Sequence, residues 1–226
     1  MLSDTVVSNR GAMMKTAFML MVLPLAGCPS TNTTQDCTPV DLSWIETAPR
    51  CGDDSTMLYT YMNAPSAVTP GCQVFVQRLD FSNFFGAEAP NLRGVRATLS
   101  DVGFYGAPNL TSLSGLETLE RIGGRLQIRN MSVLPDLRGL RSLRSVRVLT
   151  VDNTTVTSLE GAEQLQEVEV LTIRDNRQLT SLRGLEGLCR ITGGVNIFDN
   201  RQLPESEIQA LLERVEVTGP IVLVRP

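Results

Sequence analysis

A repeat with a period of about 23 residues runs through the second half of this chain and restricts its fold more than any other feature. The pentapeptide Asp-Asn-Arg-Gln-Leu occurs at 175–179 and again at 199–203. The apolar residues that open successive units are Leu110, Leu134, Val156, Leu179 and Leu203, whose sequence numbers differ by 24, 22, 23 and 24. Because one such unit cannot bury its own apolar face, the units must stack and share a core, so the repeat predicts a solenoid.

Each unit carries a short alternating segment followed by asparagine. The apolar pairs are Leu126/Ile128, Leu149/Val151, Leu171/Ile173 and Val195/Ile197, and the asparagines are Asn130, Asn153, Asn176 and Asn200. Alternation places both apolar side chains on one face of a β-strand, so stacked units predict a parallel sheet. Asparagine tolerates the left-handed backbone of a tight turn. The glycines of the leucine-rich arcs, predicted to relieve crowding or adopt positive φ at a corner, are Gly115, Gly139, Gly161 and Gly184.

The ends of the repeat array are irregular, as capping units are. Upstream, the pairs Val102/Phe104 and Leu79/Phe81 occupy the strand positions. Downstream, Pro204 opens a segment with helical spacing, and Ile221 and Leu223 supply a final strand. The predicted fold class is a β-rich solenoid with a C-terminal capping helix. We expect α/β coils that keep the 22–24 period of the repeat and are of right-handed β-helix or leucine-rich-repeat-like type.

The N-terminus has the pattern of a secretory leader. Lys15 precedes an apolar run, residues 17–27, that is shorter than the roughly 20 residues needed to span a bilayer. The run ends in Leu-Ala-Gly before Cys28, which resembles the lipobox of bacterial lipoproteins, whose cysteine is lipidated and becomes the first mature residue. We therefore expect lipidation at Cys28, with an ordinary signal peptide cleaved elsewhere as the alternative. Pro29, where aspartate would resemble an inner-membrane retention signal, favours an outer-membrane anchor.

Four segments are predicted along the chain. Residues 1–27 form the lipoprotein signal peptide, and residues 28–50, rich in Ser, Thr, Asn and Pro, form a flexible tether. Residues 51–74 form an N-terminal cap with cysteines, and residues 75–226 form the solenoid.

Four cysteines remain after Cys28, an even number in an oxidising compartment. They are Cys37, Cys51, Cys72 and Cys189. Four cysteines allow three complete pairings, and the sequence does not select one. The three early cysteines favour a disulfide-stapled cap, and Cys189, inside a repeat, is interpreted as a lone, partly buried thiol.

Composition argues against an enzyme. The chain has no histidine, which excludes Ser-His-Asp and Cys-His catalysis and imidazole metal ligands. No Cys-x-x-Cys pair indicates a zinc site, and no Gly-rich Asp-x-Asp loop supports a calcium ladder along the asparagine column. We predict no catalytic residue, no metal and no cofactor. The net charge of −4 disfavours a nucleic-acid partner.

Charge is distributed unevenly over neighbouring coils. Residues 121–147 hold seven arginines and one acid, whereas residues 152–171 hold five acids and no base. Ion pairs between coils are the favoured interpretation. The alternative is a basic surface for an anionic partner such as lipopolysaccharide or a surface glycan. A candidate contact site is formed by the duplicated pairs, predicted to lie side by side, which are Arg177, Gln178, Arg201 and Gln202.

The unit Leu-x-Ser-Leu-x-Gly-Leu-x-x-Leu-x-x-Ile-Gly-Gly, clearest at 110–124, resembles the receptor L-domain family. The resemblance covers roughly residues 75–226, although the two middle units lack the glycine pair. It implies a leucine-rich-repeat-like scaffold and transfers no ligand or signalling role.

These features together predict an exported, lipid-anchored protein of the outer membrane, facing the periplasm or the cell surface. We expect a non-enzymatic recognition solenoid that contacts the membrane through its lipid and binds a protein or glycan of the envelope. The alternative function is a structural or assembly component of the envelope without a soluble ligand.

Overall fold

The computed structural model describes residues 5–8, 37–52, 59–60 and 68–224. Helix is scarce in this part of the chain: α1 spans Glu205–Arg214, and short 3-10 helices span Ser43–Glu46 and Arg138–Leu140. The strands, in chain order, are β1 Thr5–Ser8, β2 Tyr59–Thr60, β3 Val74–Phe75, β4 Leu79–Asp80, β5 Ala97–Thr98, β6 Val102–Tyr105, β7 Arg121–Met131, β8 Ser145–Thr154, β9 Glu167–Arg174, β10 Arg190–Phe198, β11 Glu216–Val217 and β12 Ile221–Val224.

The strands stack as rungs of a solenoid. β2, β4, β6, β7, β8, β9, β10 and β12 follow one another as neighbours in the sheet, and every pair among them is parallel. Register follows the sequence repeat, since Leu126 pairs with Leu149 and Leu149 with Leu171. The short strands β3, β5 and β11 pair in the same way along the first segment of each coil. The chain therefore forms a parallel β-solenoid of about seven turns, which confirms the predicted β-rich solenoid.

Two columns of apolar strand residues fill the interior, as the alternating pairs predict. The first column is Leu79, Val102, Leu126, Leu149, Leu171 and Val195, and the second is Phe81, Phe104, Ile128, Val151, Ile173 and Ile197. No member is more than 2% exposed. Since truncating one buried leucine to alanine costs about 2–5 kcal/mol, these columns hold adjacent coils together.

A left-handed residue ends the strand segment in successive coils. The non-glycine residues with positive φ at this turn are Asn83 (φ 54), Asn130 (φ 56), Asn153 (φ 50), Asp175 (φ 57) and Asp199 (φ 56). The predicted left-handed turn is thus confirmed at Asn130 and Asn153. It is wrong at Asn176 and Asn200, because the preceding aspartates, which tolerate this backbone equally well, occupy the turn.

The displaced asparagines form a buried ladder instead. Asn176 Oδ1 accepts hydrogen bonds from the amide and the hydroxyl of Thr154, at 3.0 and 2.7 Å. The amide of Asn176 donates to Asn200 Oδ1 at 3.0 Å, and Asn176 Nδ2 donates to Val151 O at 3.0 Å. Asn200 Nδ2 repeats this bond to Ile173 O at 2.9 Å. The ladder satisfies polar groups that a buried turn would otherwise leave unpaired.

The corner glycines are needed for both predicted reasons. Gly115, Gly161 and Gly184 have φ of +106, +109 and +105. Gly139 does not adopt positive φ, but a Cβ there would lie 2.0 Å from Leu113 O. Coils are therefore too close at this corner for any side chain.

In three of these units, a glutamate two residues after the glycine stabilises the corner. The amides of Gly115, Gly161 and Gly184 donate to Glu117, Glu163 and Glu186 at 2.8, 2.8 and 2.7 Å. Burial raises the pKa of Glu117, but hydrogen bonds from its own amide and from that of Gly115, with Arg93 and Arg141 nearby, lower the pKa below its ordinary value. In the Gly139 unit the equivalent residue is Arg141.

The C-terminal helix lies where Pro204 and the helical spacing predict it, and β12 follows at the predicted residues Ile221 and Leu223. Glu207 of α1 accepts hydrogen bonds from the hydroxyl of Ser181 and the amide of Leu182, both at 2.8 Å. Arg214 donates to backbone carbonyls of the preceding arc, and burial lowers the pKa of its guanidinium. The helix is thus fixed at both ends to the last coil.

Two disulfides decide among the open pairings. Cys51 pairs with Cys72, which closes the predicted cap. Cys37 pairs with Cys189 across 152 residues of sequence, so the interpretation of Cys189 as a lone thiol is wrong. The sequence does not predict this pairing, because the two cysteines are far apart along the chain. They meet because the chain after Cys37 runs back along the stack.

Within the segment predicted as a tether, residues 28–50, the part from Cys37 onward is joined to the solenoid. We call residues 37–45 the strap. One end is fixed by the disulfide, and at the other Ile45 is buried in a small cluster with Val74 and Ala97. The guanidinium of Arg96 lies 3.9 Å from the ring centroid of Trp44, which adds a cation–π contact.

The last rung, β12, is paired on both sides. Its inner edge pairs with β10, and its outer edge pairs antiparallel with β1. β1 lies within the predicted leader, so cleavage before Cys28 would remove this outer partner.

Candidate functional site

The outer side of the longest rungs presents one continuous surface. Strand alternation turns the residues between and after the apolar pairs outward. We call this surface the sheet face; its members on β6 to β10 are Tyr105, Gln127, Arg129, Thr150, Asp152, Thr172, Arg174, Asn196 and Phe198. The positions of the sheet face can be derived from the sequence repeat, because they alternate along each strand with the buried apolar residues.

Charged groups occupy the centre of the sheet face. Asp152 Oδ2 accepts hydrogen bonds from Arg129 Nε at 2.8 Å and from Arg174 Nη2 at 2.7 Å. The side chain of Asp152 is 5% exposed, whereas those of Arg129 and Arg174 are 34% and 36% exposed. The hydrogen bond to Asp152 raises the pKa of Arg174 above its ordinary value. Both guanidinium groups are therefore held in place with further N–H donors available for a partner.

Aromatic side chains lie on either side of this charged centre. The register aligns Tyr105 with Arg129 and Phe198 with Arg174. The Tyr105 hydroxyl donates to Gln127 Oε1, and burial raises the pKa of this phenol. The Arg174 guanidinium lies 5.9 Å from the Phe198 ring centroid. The row thus combines flat apolar rings at its ends with fixed hydrogen-bond donors between them.

Neighbouring coils of opposite charge are joined by ion pairs, as the favoured interpretation predicts. Three of the seven arginines of residues 121–147 pair with acids of the next coil: Arg129 with Asp152, Arg138 with Glu160, and Arg147 with Glu169. The last two pairs are exposed, so each contributes at most about 1 kcal/mol. In the described part of the chain, the arginines of this group that form no ion pair are Arg121, Arg125, Arg141 and Arg144.

The duplicated pairs lie beyond the sheet face. Arg177, Gln178, Arg201 and Gln202 are all exposed. They follow the left-handed Asp175 and Asp199 of successive coils, so each pair occupies the same place in its coil. The repeat explains where these four residues lie, but nothing in the structure explains why the same Arg-Gln pair occurs in both coils. Cys28 lies outside the described residues.

Within the described ranges, no group of three or more Cys, Asp or Glu side chains is placed to hold a metal ion. None of the described helices is both long and apolar enough to cross a bilayer. The fold and the sheet face define the class of protein as a parallel β-solenoid with an ordered polar and aromatic surface. Comparison of the chain with protein-family models, curated proteins and solved structures found no match.

Proposed function

We propose that this chain is a lipid-anchored, non-enzymatic recognition protein of the cell envelope, and that its sheet face binds an envelope protein or glycan. We also infer that the coils are right-handed and of the receptor L-domain type, which the leucine and glycine spacing of residues 110–124 supports. The anchor would be the lipidated Cys28.

The observation that carries the recognition role is the fixed Arg129–Asp152–Arg174 group between Tyr105 and Phe198. The few residues that dominate the binding free energy of protein interfaces are enriched in tyrosine, tryptophan and arginine. Groups already ordered before binding lose little conformational entropy when a partner arrives. The Asp152 carboxylate orders both arginines in this way, so the sheet face is prepared for a partner.

Export is supported by the disulfides, because disulfides persist in oxidising compartments. The apolar run before Cys28 and the small residues at its end support a lipid anchor. Radiolabelled fatty acid should enter the wild-type protein and fail to enter Cys28→Ala, which should leave the membrane fraction. Labelling of both proteins, or of neither, would contradict the anchor.

An array of envelope glycans and peptides tests recognition. The full-length protein is applied beside the double variant Tyr105→Ser/Phe198→Ser and the control Phe85→Ser, whose exposed ring lies off the sheet face. We expect hits for the wild type and the control, with at least tenfold weaker binding by the double variant. Equal binding by all three proteins would contradict a role for the sheet face.

The alternative function is assembly, and the pairing of β12 favours it specifically. If the leader is removed, the outer edge of β12 loses β1 and exposes unpaired backbone groups, which readily accept another strand. A pull-down with the mature protein separates the two functions. A stoichiometric membrane-protein partner that survives Tyr105→Ser/Phe198→Ser would favour assembly.

A further inference from the structure

A second surface, away from the sheet face, has the features of a ligand site. A groove of about 740 Å³ lies between the strap and the corners of successive coils. Its lining includes Trp44 of the strap and Arg141, Arg144 and Gln164 of the coils. The volume falls within the range of small-molecule sites. We call it the strap groove.

The strap forms a fixed wall of this groove. Register places Arg96, Glu120, Arg144, Gln166 and Cys189 on five successive rungs. Four steps between rungs span about 19 Å, whereas the seven residues from Cys37 to Trp44 span at most about 25 Å. The strap therefore runs nearly extended along the stack from its disulfide to the 3-10 helix Ser43–Glu46, in which Trp44 contacts Arg96. It covers the coil corners without filling the space above them.

Arg141 occupies a position that has a structural role in the other units. There, a glutamate accepts the amide hydrogen of the corner glycine, as Glu163 does for Gly161 at 2.8 Å. The Gly139 unit turns through a 3-10 helix, Arg138–Leu140, and has no such bond in the described structure. In the described structure Arg141 makes no hydrogen bond to the corner glycine of its own coil; it lies near Glu117 of the preceding coil and lines the groove. Its guanidinium does not close the corner of its own coil.

Arg144 also forms no ion pair with any acid among the described residues. The nearest acid on the neighbouring rung, Glu120, is held by Arg96 through two hydrogen bonds of 2.7 and 2.9 Å. The other carboxylate of the groove, Asp41, accepts the amide of Ser43 at 3.0 Å, a bond that lowers its pKa. Three arginines and two carboxylates give the lining one net positive charge.

We propose that the strap groove binds a sugar that carries a carboxylate or phosphate group. Arg141 and Arg144 would hold the anionic group, because guanidinium forks match carboxylate and phosphate oxygens. Ser142 and Gln164, also in the lining, would hydrogen-bond sugar hydroxyls, and Trp44 would pack on the ring. This site is distinct from the sheet face and does not depend on the function proposed for that surface.

The test uses Trp44 as its probe, since it is the only tryptophan of the chain. Fluorescence of the full-length protein in detergent is titrated with galacturonate, glucose 6-phosphate, glucose and inorganic phosphate. We expect saturable change with at least one of the two anionic sugars and none with glucose. Galacturonate and glucose 6-phosphate distinguish the carboxylate from the phosphate source.

Three variants assign the effect to the groove. Arg141→Glu restores the residue of the other units and should preserve the fold, while raising Kd for the anionic sugar at least tenfold. Arg144→Gln should do the same, and Arg125→Gln, an unpaired arginine elsewhere, should leave Kd unchanged. Circular dichroism checks folding of each variant. The proposal is overturned if neither anionic sugar binds, if Arg141→Glu binds as the wild type does, or if inorganic phosphate binds as tightly as the sugars.

Discussion

Removing the Cys37–Cys189 disulfide should destabilise the protein more than removing Cys51–Cys72. The first closes a loop of 152 residues and the second a loop of 21. Each disulfide lowers the conformational entropy of the unfolded chain. The resulting stabilisation of the folded state is about 5 kcal/mol for the long loop and about 3 kcal/mol for the short one. The long-range disulfide should therefore contribute about 2 kcal/mol more to the free energy of unfolding.

Guanidinium unfolding of two double variants measures this difference. Cys37→Ala/Cys189→Ala is compared with Cys51→Ala/Cys72→Ala, so that each retains one disulfide. With an m-value of about 4 kcal/mol/M, the midpoints should fall by about 1.2 M and about 0.8 M. Trp44 fluorescence follows the strap, and far-UV circular dichroism follows the strands.

In the first variant we expect the strap to detach before the strands unfold, so the two signals should separate. In the second they should coincide. A midpoint loss for Cys37→Ala/Cys189→Ala that is equal to or smaller than the loss for Cys51→Ala/Cys72→Ala would refute the argument. It would mean that the strap is not clamped across the stack.

Three further experiments test the coil geometry. Asn176→Ala leaves the buried amide and hydroxyl of Thr154 without their acceptor, so the free energy of unfolding should fall by about 2–4 kcal/mol. Gly161→Ala places a Cβ 2.2 Å from backbone atoms and should cost more than about 3 kcal/mol by thermal unfolding, whereas Gly71→Ala, with positive φ but open space, should cost only about 1–2 kcal/mol. Glu117 has a folded pKa below its unfolded value of 4.5, so its stabilisation is present above that pH and lost as pH falls through the folded pKa. The stability difference between wild type and Glu117→Gln should therefore shrink toward zero as the pH falls below the folded pKa.

The repeat predicts the solenoid because the residues that recur at its spacing are the ones that the stacked coils bury. Leu126, Leu149 and Leu171 recur at the period of the repeat, and they lie one above another in the core. The sequence places the turn one residue late at Asn176, since asparagine and aspartate both tolerate left-handed φ and nothing in the sequence distinguishes a turn residue from a ladder residue.

The strap and its groove could not be predicted from the repeat. Residues 37–45 contain no periodicity, and Cys37 reaches Cys189 only because the stack brings distant rungs to one corner. The role proposed for Arg141 likewise rests on comparison of the coil corners, because in sequence it is one arginine among seven. The sheet face lies between these cases: its positions follow from alternation, but the sharing of Asp152 by two arginines requires coordinates.

Site-specific photo-cross-linking in intact cells tests the central claim most directly, because it captures a bound partner whose identity is still open. A photoreactive phenylalanine analogue replaces Thr150, at the middle of the sheet face, or the exposed Phe85 as the control. We predict a discrete adduct from position 150 and none from position 85, with the adduct lost in Arg129→Ser/Arg174→Ser. No adduct at position 150, or equal adducts at both positions, would contradict recognition through the sheet face.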